Sequence, residues 1–567
     1  MHNIRIYLLL AGIIFFAGFT VSQLFVIQVL ESEKYLARAE AQYVQRNYHL
    51  YDRGEIYFTT KDGELVSAAT LQSGYLIAIN PAYIDDPEIT FSRLNDVIDI
   101  DRDRFMERVK REGSYQEVAS GVTESQADEI RPLGLSGVSL YPERWRFYPG
   151  GSMAAHALGF AGFQGDEHEG RYGLERSYEN ILDRPESFYR VNFFAQIFGN
   201  IAKGSSNVGE NSGNVVTTIE PMVQSFLEYE INNIRERWGA GSIGGIIMDP
   251  STGAIKAMAL WPTFDPNDFS TAISNDVFSN SLVESVYEMG SVVKPITIAA
   301  GIDAGVIRPN STYYDGGRVR LDGFTISNFD GRGHGTVTMQ EVLNRSINTG
   351  VVNIMKEMGA GTFADYMLAF GFDSKTGVDL PYESDNILVN FESPRLIEYA
   401  TASFGQGIAV TPIGMTRALA ALGNGGYVVE PYLVERIEKK NGEIINTNER
   451  IKDVKRAISE ETSREISRML VNTVDDALLG GSVALPRHSV AAKTGTAQIP
   501  HAGERGYRDD AFLHSFFGYF PAYDPEFIIF LYHVEPQGAQ YASQTLTEPF
   551  MDIVKFLIQY YSINPDR

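Results

Sequence analysis

The chain opens with an uninterrupted apolar run. Residues 6–30 carry no charged side chain, and a helix of about 25 residues is long enough to cross the roughly 30 Å hydrocarbon core of a bilayer. A cleaved signal peptide would have an apolar region of only about 7–15 residues with a small-x-small cleavage site behind it, and no such site is evident. The pattern predicts a transmembrane signal anchor at residues 6–30, with residues 1–5 as a cytoplasmic head and the rest of the chain outside the cytoplasm.

Mixed patterns of helix and strand follow the apolar run. Residues 31–47 have a helical pattern, and short alternating segments typical of strands come next. Residues 199–214 are rich in Gly, Ser and Asn, a composition typical of a loop or linker. We therefore predict a mixed α/β N-terminal domain over residues 31–215 and a second domain over residues 216–567.

The second domain has strand patterns at both of its ends and a largely helical middle. A helical pattern over residues 219–238 precedes two short strands joined by a tight turn, GGIIMD and AIKAMAL. Three further strand patterns come near the C-terminus: SVAAKTGTAQI, HSFFGYFPA and FIIFLYHVEP. The predicted class is α+β, with an antiparallel sheet of about five strands and flanking helices in the second domain.

Composition narrows the possible functions. A chain of 567 residues is long enough for at least two domains. The formal net charge of -24 argues against a nucleic-acid partner, because phosphate contacts need a surplus of Lys and Arg. The absence of cysteine excludes disulfides, thiolate zinc sites and Cys nucleophiles.

Four weaker candidates for ligand sites are better explained by ordinary structural roles. The acidic stretch at residues 166–170 is typical of a solvated turn, His334 of a loop, and His514 of a packed strand. The glycine pattern at residues 239–244 follows a helix and precedes a strand, the reverse of the dinucleotide-binding arrangement. We predict no metal and no organic cofactor.

A possible nucleophile and base lie in the stretch YEMGSVVKPI. Ser291 and Lys294 are three residues apart, so a helix would place both on one face, where a deprotonated amine could take the hydroxyl proton. A chain of this length should contain on the order of one or two Ser-x-x-Lys matches by accident, so the pair alone is weak evidence.

Two further motifs follow in order. Ser346-Ile-Asn348 lies at a predicted connection between two helices, and Lys493-Thr-Gly-Thr496 lies on a predicted strand. A second Lys-Thr-Gly begins at Lys375, in a turn-rich segment followed by proline, which favours a surface loop.

The order and separation of the three motifs resemble the Ser-x-x-Lys, Ser-x-Asn and Lys-Thr-Gly set of penicillin-binding proteins and serine β-lactamases. The segments PSTGAIKAMAL, FGFDSKTGVDLPYES and TASFGQGIAVTPIGMTRALAALGNGG resemble the transpeptidase domain of class B penicillin-binding proteins. In the first half, DRGEIYFTTKDGELVSA and RWRFYPGGSMAAHALGFAG are similar to the N-terminal pedestal of that class, a dimerisation or interaction domain. Ser-Ile-Asn in place of Ser-x-Asp favours the division-type branch.

The resemblance implies a role for each motif residue. Ser291 would form an acyl-enzyme, and Lys294 could be its base only if burial and a neighbouring cation, Lys493, depress its pKa. Ser346 would relay a proton to the leaving amine, and Asn348 would hold the substrate's amide.

The substrate's carboxylate and oxyanion would be bound by the third motif. Lys493 and Thr494 would bind the terminal carboxylate with help from Thr496, while Gly495 belongs to the same substrate-binding strand. The backbone N–H groups of Ser291 and Thr496 would form the oxyanion hole.

The resemblance implies a membrane-anchored D,D-transpeptidase that cross-links peptidoglycan stem peptides on the outer or periplasmic face of the membrane. Its expected partners are stem peptides, β-lactams as inhibitors, and a membrane glycosyltransferase with other cell-wall synthesis proteins. Two alternatives remain open: a non-catalytic assembly protein of the division machinery, and a β-lactam-hydrolysing or β-lactam-sensing protein of the same fold.

Overall fold

The computed structural model describes residues 52–164, 167–184, 212–239, 241–272, 274–447, 454–501, 503 and 506–567, together with residues 12, 15–20 and 22. The predicted helix at residues 31–47 and most of the predicted anchor and linker lie outside these residues. Over the described part of the chain, no helix has the length and apolar character needed to cross a membrane.

The chain divides into two compact units. The smaller unit contains Leu71–Phe147, and the larger contains Gly54–Thr70, Tyr148–Asp183 and the described residues of Glu210–Arg567. Two segments that precede the predicted boundary at residue 215 are therefore part of the larger unit. The boundary itself stays a prediction, because residues 185–211 lie outside the described part.

The smaller unit combines three helices with a set of paired strands. The strand Leu65–Ile79 pairs antiparallel with Gln116–Val122 through its residues 75–79, and it also pairs with Val138–Phe147. The helices are Pro87–Asn95, Arg102–Val109 and Glu124–Ile130. Each begins where a side chain satisfies free backbone N–H groups: Asp86, Asp101 and Thr123 are the N-caps. The core of this unit includes Ile77, Leu94 and Phe105.

The larger unit contains the predicted five-stranded antiparallel sheet. In chain order its strands are β1 (Ile243–Met248), β2 (Ile255–Trp261), β3 (Ala491–Pro500), β4 (Tyr507–Phe520) and β5 (Phe527–Val534). The spatial order is β3-β4-β5-β1-β2, and every neighbouring pair is antiparallel. The prediction of this sheet is confirmed, and β3, which carries the Lys-Thr-Gly motif, is an edge strand.

The larger unit has a second set of paired strands, of which only the strand patterns within residues 52–70 were predicted. Gly213–Thr217 pairs in parallel with Ile56–Thr59 and antiparallel with Val434–Lys439. Ile444–Asn446 and the first residues of Leu65–Ile79 extend this arrangement. The linker prediction was therefore wrong at residues 213 and 214, where the β-branched run after Asn214 continues a strand backwards into the polar stretch.

Helices cover the five-stranded sheet and fill the middle of the unit, as predicted. The longer ones are α1 (Pro221–Trp238), α2 (Lys294–Asp303), α3 (Met339–Asn344), α4 (Asn348–Met358), α5 (Ala360–Ala369), α6 (Leu396–Ala402), α7 (Pro412–Ala420), α8 (Glu460–Asn472) and α9 (Thr547–Tyr561). One-turn helices occur at Ala155–Leu158, Gly173–Ser177, Glu179–Leu182, Ser281–Glu284 and Ala542–Thr545. The predicted helix at residues 219–238 is confirmed as α1.

Three two-stranded antiparallel sheets complete the larger unit. Thr312–Asp315 pairs with Gly335–Thr338, and Arg318–Leu321 pairs with Phe324–Ser327. The third sheet joins Ala161–Gln164 to Glu167–Gly170, so the predicted solvated turn at residues 166–170 was wrong for residues 167–170, which form a strand.

Helix α2 is the central element of the larger unit, and its residues from Lys294 to Gly301 are all buried. Gly301 permits its close contact with α4, because a Cβ atom there would lie 2.5 Å from Cγ2 of Ile354. A buried, apolar helix leaves few places for a charged side chain. Lys294 at its first position is therefore the feature that needs a chemical explanation.

Candidate active site

Ser291 lies in a single 3₁₀ turn, Gly290–Val293, that leads directly into α2. A 3₁₀ helix has three residues per turn, so side chains at positions i and i+3 eclipse one another. Ser291 and Lys294 therefore project from the same side of the helix start, as predicted. The backbone N–H of Lys294 donates to the carbonyl of Ser291, so the missing N–H of Pro295 leaves that carbonyl satisfied.

Hydrogen bonds with two other segments of the chain fix the turn before Ser291. Gly290 has a φ of +64°, and its N–H donates to the carbonyl of Gly405 over 3.1 Å. The hydroxyl of Ser515 on β4 donates to the carbonyl of Met289 over 2.8 Å. A Cβ atom at residue 290 would lie 2.9 Å from the carbonyl oxygen of Thr496, so the nucleophile turn packs directly on β3.

The side chain of Lys294 is buried and reaches the Ser-Ile-Asn motif. Its Nζ donates to the carbonyl oxygen of Ser346 over 2.5 Å and to the Ser346 Oγ over 3.0 Å. Burial, and secondly the charge of Lys493, hold the pKa of Lys294 well below its usual range. The lowered pKa favours the neutral form of the amine, which can accept a proton.

Ser346 occupies an unusual backbone conformation. It follows the end of α3 and has a φ of +55°, a left-handed conformation that is costly for a residue with a Cβ atom. The N–H groups of Ser346 and Ile347 donate back to α3, at Leu343 and Val342, which fixes the turn. Strain of this kind persists where surrounding contacts impose it, and here it directs the Ser346 hydroxyl toward Lys294.

Asn348 is the first residue of α4, immediately after this turn. Its Nδ2 donates to the carbonyl of Ser327 over 2.9 Å. A side-chain amide has two N–H donors and one acceptor oxygen, so this contact leaves one donor and the oxygen available.

Lys493 is the second buried amine of the site. It lies on β3 with 4% of its surface exposed, and its Nζ donates to the carbonyl of Thr494 over 3.0 Å. Burial lowers its pKa to about 8, so near neutral pH most molecules keep the charge. The site therefore pairs an amine whose pKa is held well below its usual range, Lys294, with one that keeps its charge, Lys493.

The remaining residues of the third motif differ in whether they face the cleft, because successive residues of a strand lie on opposite faces. Thr494 and Thr496 line the cleft, whereas Gly495 does not. A Cβ atom at residue 495 would lie 2.3 Å from the Oγ of Ser515 and 2.7 Å from the carbonyl oxygen of Met289. Gly495 therefore allows β3 to lie against the nucleophile turn. The Thr496 hydroxyl accepts a hydrogen bond from the N–H of Ala542 over 3.1 Å.

The motifs meet in a cleft of about 890 Å³. Six of the eight predicted site residues line it: Ser291, Ser346, Asn348, Lys493, Thr494 and Thr496. Lys294 and Gly495 contact these residues without lining the cleft. The rim carries apolar side chains, which sequence reasoning did not identify: Phe324, Phe329, Leu479 and Tyr541.

The second Lys-Thr-Gly is a surface loop, as predicted. The Lys375 side chain is 49% exposed and lies 3.7 Å from the carboxylate of Asp385. The carboxylate of Glu383 accepts hydrogen bonds from the N–H groups of Thr376 and Gly377, which fixes the loop. None of these residues lines the cleft.

The two histidine predictions are also confirmed. His514 lies buried on β4, with its Nδ1 2.8 Å from the hydroxyl of Thr545. His334 lies in a loop, but its Nδ1 is 2.7 Å from the carboxylate of the buried residue Asp315. Sequence reasoning missed this buried carboxylate, and no motif marks it.

Comparison with known proteins identifies relatives over most of the chain. A family model described as the penicillin-binding protein transpeptidase domain matches residues 243–555, and one described as the penicillin-binding protein dimerisation domain matches residues 51–218. The stage V sporulation protein D of Bacillus subtilis is 30% identical over 560 residues, which cover 96% of this chain and 84% of that protein. The peptidoglycan D,D-transpeptidase FtsI of Escherichia coli is 27% identical over 479 residues, 83% of this chain and 77% of that protein.

Solved structures show the same fold. Penicillin-binding protein 3 of Mycobacterium tuberculosis, complexed with aztreonam, aligns with a TM-score of 0.69 at 21% identity, over 92% of this chain and 98% of that one. Penicillin-binding protein 2X of Streptococcus thermophilus aligns with a TM-score of 0.70 at 21% identity, over 90% of this chain and 80% of that one. The family resemblance seen in the sequence motifs is confirmed.

Proposed function

The chain belongs to the penicillin-binding protein transpeptidase family, and on that premise we propose that it is a serine-type D,D-transpeptidase that cross-links peptidoglycan stem peptides. The observation that carries the proposal is the buried amine of Lys294, three residues after Ser291 and hydrogen-bonded to Ser346. A hydroxyl needs a neighbouring base to become a nucleophile, and a neutral lysine can supply it.

In the first half-reaction, the Ser291 Oγ attacks the carbonyl carbon of the D-Ala-D-Ala peptide bond, and its proton passes to the Lys294 amine. The C–N bond then breaks, and terminal D-Ala leaves as an amine after receiving a proton through Ser346. An ester at Ser291 remains. In the second half-reaction, an acceptor amine attacks this ester, gives up a proton to the same groups, and releases Ser291.

The other motif residues bind and orient the substrate. The charged Lys493, with Thr494 and Thr496, would hold the terminal carboxylate, since a cation and two hydroxyls in one cleft suit an anion. Backbone N–H groups of Ser291 and Thr496 would stabilise the oxyanion, and loss of one such donor typically costs about 10²–10³ in rate. Asn348 would hold the substrate's peptide amide with its free amide atoms.

We also propose that the chain is anchored by residues 6–30, with its catalytic unit outside the cytoplasm. The uncharged length of that segment supports the anchor, and a substrate in the cell wall supports the orientation. The proposed partners are a membrane glycosyltransferase and other cell-wall synthesis proteins, with β-lactams as inhibitors. The Ser-Ile-Asn motif and the relatives named FtsI favour septal synthesis during division.

A β-lactamase-like hydrolase is the second enzymatic candidate. In class A β-lactamases a glutamate near the ester activates water. The acids between the Ser-Ile-Asn and Lys-Thr-Gly motifs include Glu357, Glu383 and Glu392, and none of these three lines the described cleft, although Asp509 on β4 does. The pairing of Glu383 with the 376–377 backbone further favours transfer to an amine over hydrolysis. A non-catalytic assembly role is disfavoured, because such a protein would not need a buried amine beside Ser291.

The purified full-length chain in detergent, given a D-Ala thioester, tests the proposal. An added D-amino acid should accelerate thiol release and appear in an amide product. Rapid turnover of thioester and penicillin with water as the only acceptor would establish the hydrolase instead. Deleting residues 1–30 should release the protein from membranes while it still reacts, and membrane retention of that variant would contradict the anchor.

A further inference from the structure

A buried carboxylate lies behind the Ser-Ile-Asn turn. Asp315 ends the strand Thr312–Asp315 and is 1% exposed. Its Oδ1 accepts hydrogen bonds from the N–H of Gly317 over 2.8 Å and from the Thr349 hydroxyl over 2.7 Å. Its Oδ2 accepts from the Asn328 amide over 2.8 Å and from the His334 N–H over 3.1 Å, and His334 Nδ1 lies 2.7 Å away. A carboxylate held by so many donors has a fixed position.

Two residues that donate hydrogen bonds to Asp315 belong to segments that line the cleft. Asn328 and Thr349, which donate to it, also contact each other: the Asn328 Oδ1 accepts from the N–H of Thr349 over 3.1 Å and lies 3.1 Å from the Thr349 Oγ1. One position earlier on each segment, the Asn348 amide donates to the Ser327 carbonyl over 2.9 Å. Residues 327 and 328 of one segment are thus hydrogen-bonded to residues 348 and 349 of the other.

Both joined segments line the active-site cleft. Ser327 and Asn328 come shortly after Phe324, one of the apolar residues on the rim of the cleft, and Asn348 begins α4. The Asn348 amide has one N–H held by the Ser327 carbonyl, so the direction of its remaining polar atoms depends on where residue 327 lies. Asp315 fixes residue 328 and the first turn of α4 together.

We propose that Asp315, Asn328 and Thr349 form a positioning cluster that sets the orientation of Asn348 toward the substrate's peptide amide. The inference rests on the proposed function and adds two residues, Asp315 and Thr349, that do not line the cleft. Active-site groups must be held within about 0.5 Å of their productive geometry, and a 1 Å misplacement by a distant mutation can cost about 10²-fold in rate. Asp315 is a buried carboxylate fixed by several donors. Two of these donors, Asn328 and Thr349, are adjacent in the chain to Ser327 and Asn348, so the cluster can hold Asn348 in one orientation.

An ordinary stabilising role is the alternative, and the chain contains a matched control. The Asp379 carboxylate accepts hydrogen bonds from the N–H groups of Leu433 and Val434 and from the hydroxyl of Tyr178. It belongs to the same compact unit but does not line or adjoin the cleft. Replacing Asp379 by Asn removes a comparable carboxylate without touching the Asn348 segment.

The variants Thr349→Val and Thr349→Ser isolate the positioning contact. Valine has nearly the shape of threonine and lacks the hydroxyl that donates to Asp315, whereas serine keeps it. Acylation by fluorescent penicillin is measured on the full-length chain per folded molecule, alongside the melting temperature. We expect Thr349→Val to lower the second-order acylation rate about 10–100-fold and to melt earlier, because Asp315 and Tyr313 each lose a hydrogen-bond partner. Thr349→Ser should stay within about 3-fold of the wild-type rate and melt near wild type.

Three further readouts separate positioning from stability. The pH profile of acylation should be unchanged in Thr349→Val, because the Lys294–Ser346 contact is intact. Asp315→Asn should show a similar rate loss, while Asp379→Asn should melt earlier and acylate at the wild-type rate below its melting point. Wild-type acylation rates in Thr349→Val and Asp315→Asn, or an equal loss in Asp379→Asn, would overturn the inference alone. Failure of the wild-type protein to acylate would overturn the proposed function and the inference with it.

Discussion

The Nζ of Lys294 donates to the Oγ of Ser346 over 3.0 Å, although the two residues are 52 positions apart in the chain. Lys294 is buried below the cleft, and Ser346 lines it. The hydroxyl therefore connects the buried base to the cleft, by a route along which a proton can reach a leaving amine.

Removal of the Ser346 hydroxyl should impair the reaction and leave Lys294 in place, because the Ser346 carbonyl still accepts from Nζ. We expect Ser346→Ala and Ser346→Gly to lose about 10²–10³-fold in turnover of a thioester substrate, within the usual range for a proton-transfer group. Glycine tolerates the positive φ, so the glycine variant should be the more stable of the two in thermal melts. Wild-type turnover in both variants would exclude Ser346 as the relay.

The rate of acylation should have a bell-shaped pH dependence. Lys294 must be neutral, so kcat/KM should rise as pH rises through its depressed pKa, which burial and then Lys493 hold well below the usual range. Lys493 must be charged, so kcat/KM should fall as pH rises past about 8, the pKa that burial gives it.

The Lys493→Arg variant keeps its charge at all these pH values, so its falling limb near pH 8 should disappear even if its maximum rate is lower. A wild-type profile that rises without a maximum to pH 10 would show that Lys294 is still protonated at neutral pH.

The two Lys-Thr-Gly segments provide an internal comparison. Lys493→Ala should reduce penicillin acylation by about 10²-fold or more, because a buried cation for the carboxylate is lost. Lys375→Ala should acylate at the wild-type rate, since that side chain is 49% exposed on a loop outside the cleft. Equal effects of the two substitutions on the acylation rate would mean that the functional Lys-Thr-Gly was not correctly assigned to residues 493–495.

Glu383 should affect stability and leave the lifetime of the acyl-enzyme unchanged. Its carboxylate accepts from the N–H groups of Thr376 and Gly377, and Glu383→Gln weakens those contacts. We expect a loss of about 1–2 kcal/mol in the free energy of unfolding, measured by denaturant titration. The penicilloyl adduct should persist for many minutes in both proteins. A longer-lived adduct in Glu383→Gln would reveal a deacylating base.

Local patterns were sufficient to predict the elements that carry the motifs. The small and β-branched residues around Lys493 predicted β3, and the helical pattern of residues 219–238 predicted α1. The three-residue spacing of Ser291 and Lys294 predicted their common side, although it did not predict the 3₁₀ turn that makes the Ser291 carbonyl a partner of Lys294.

Long-range contacts could not be predicted from local patterns. The strand Gly213–Thr217 depends on partners at residues 56–59 and 434–439, so its polar start looked like a linker. Asp315 is an ordinary acid in the sequence, and only the fold brings donors from residues 328, 334 and 349 to it. Contacts with α3 likewise impose the left-handed backbone of Ser346. Serine has no preference for that conformation from which it could have been predicted.

Covalent labelling of Ser291 tests the central claim most directly. The full-length protein is treated with penicillin, digested, and mapped by mass spectrometry, with Ser291→Ala as the matched variant and thermal melting as the check on its folding. We predict one adduct, on the peptide containing Ser291, that is absent from a folded Ser291→Ala protein. An adduct that survives the substitution, or that maps to another residue, would contradict it.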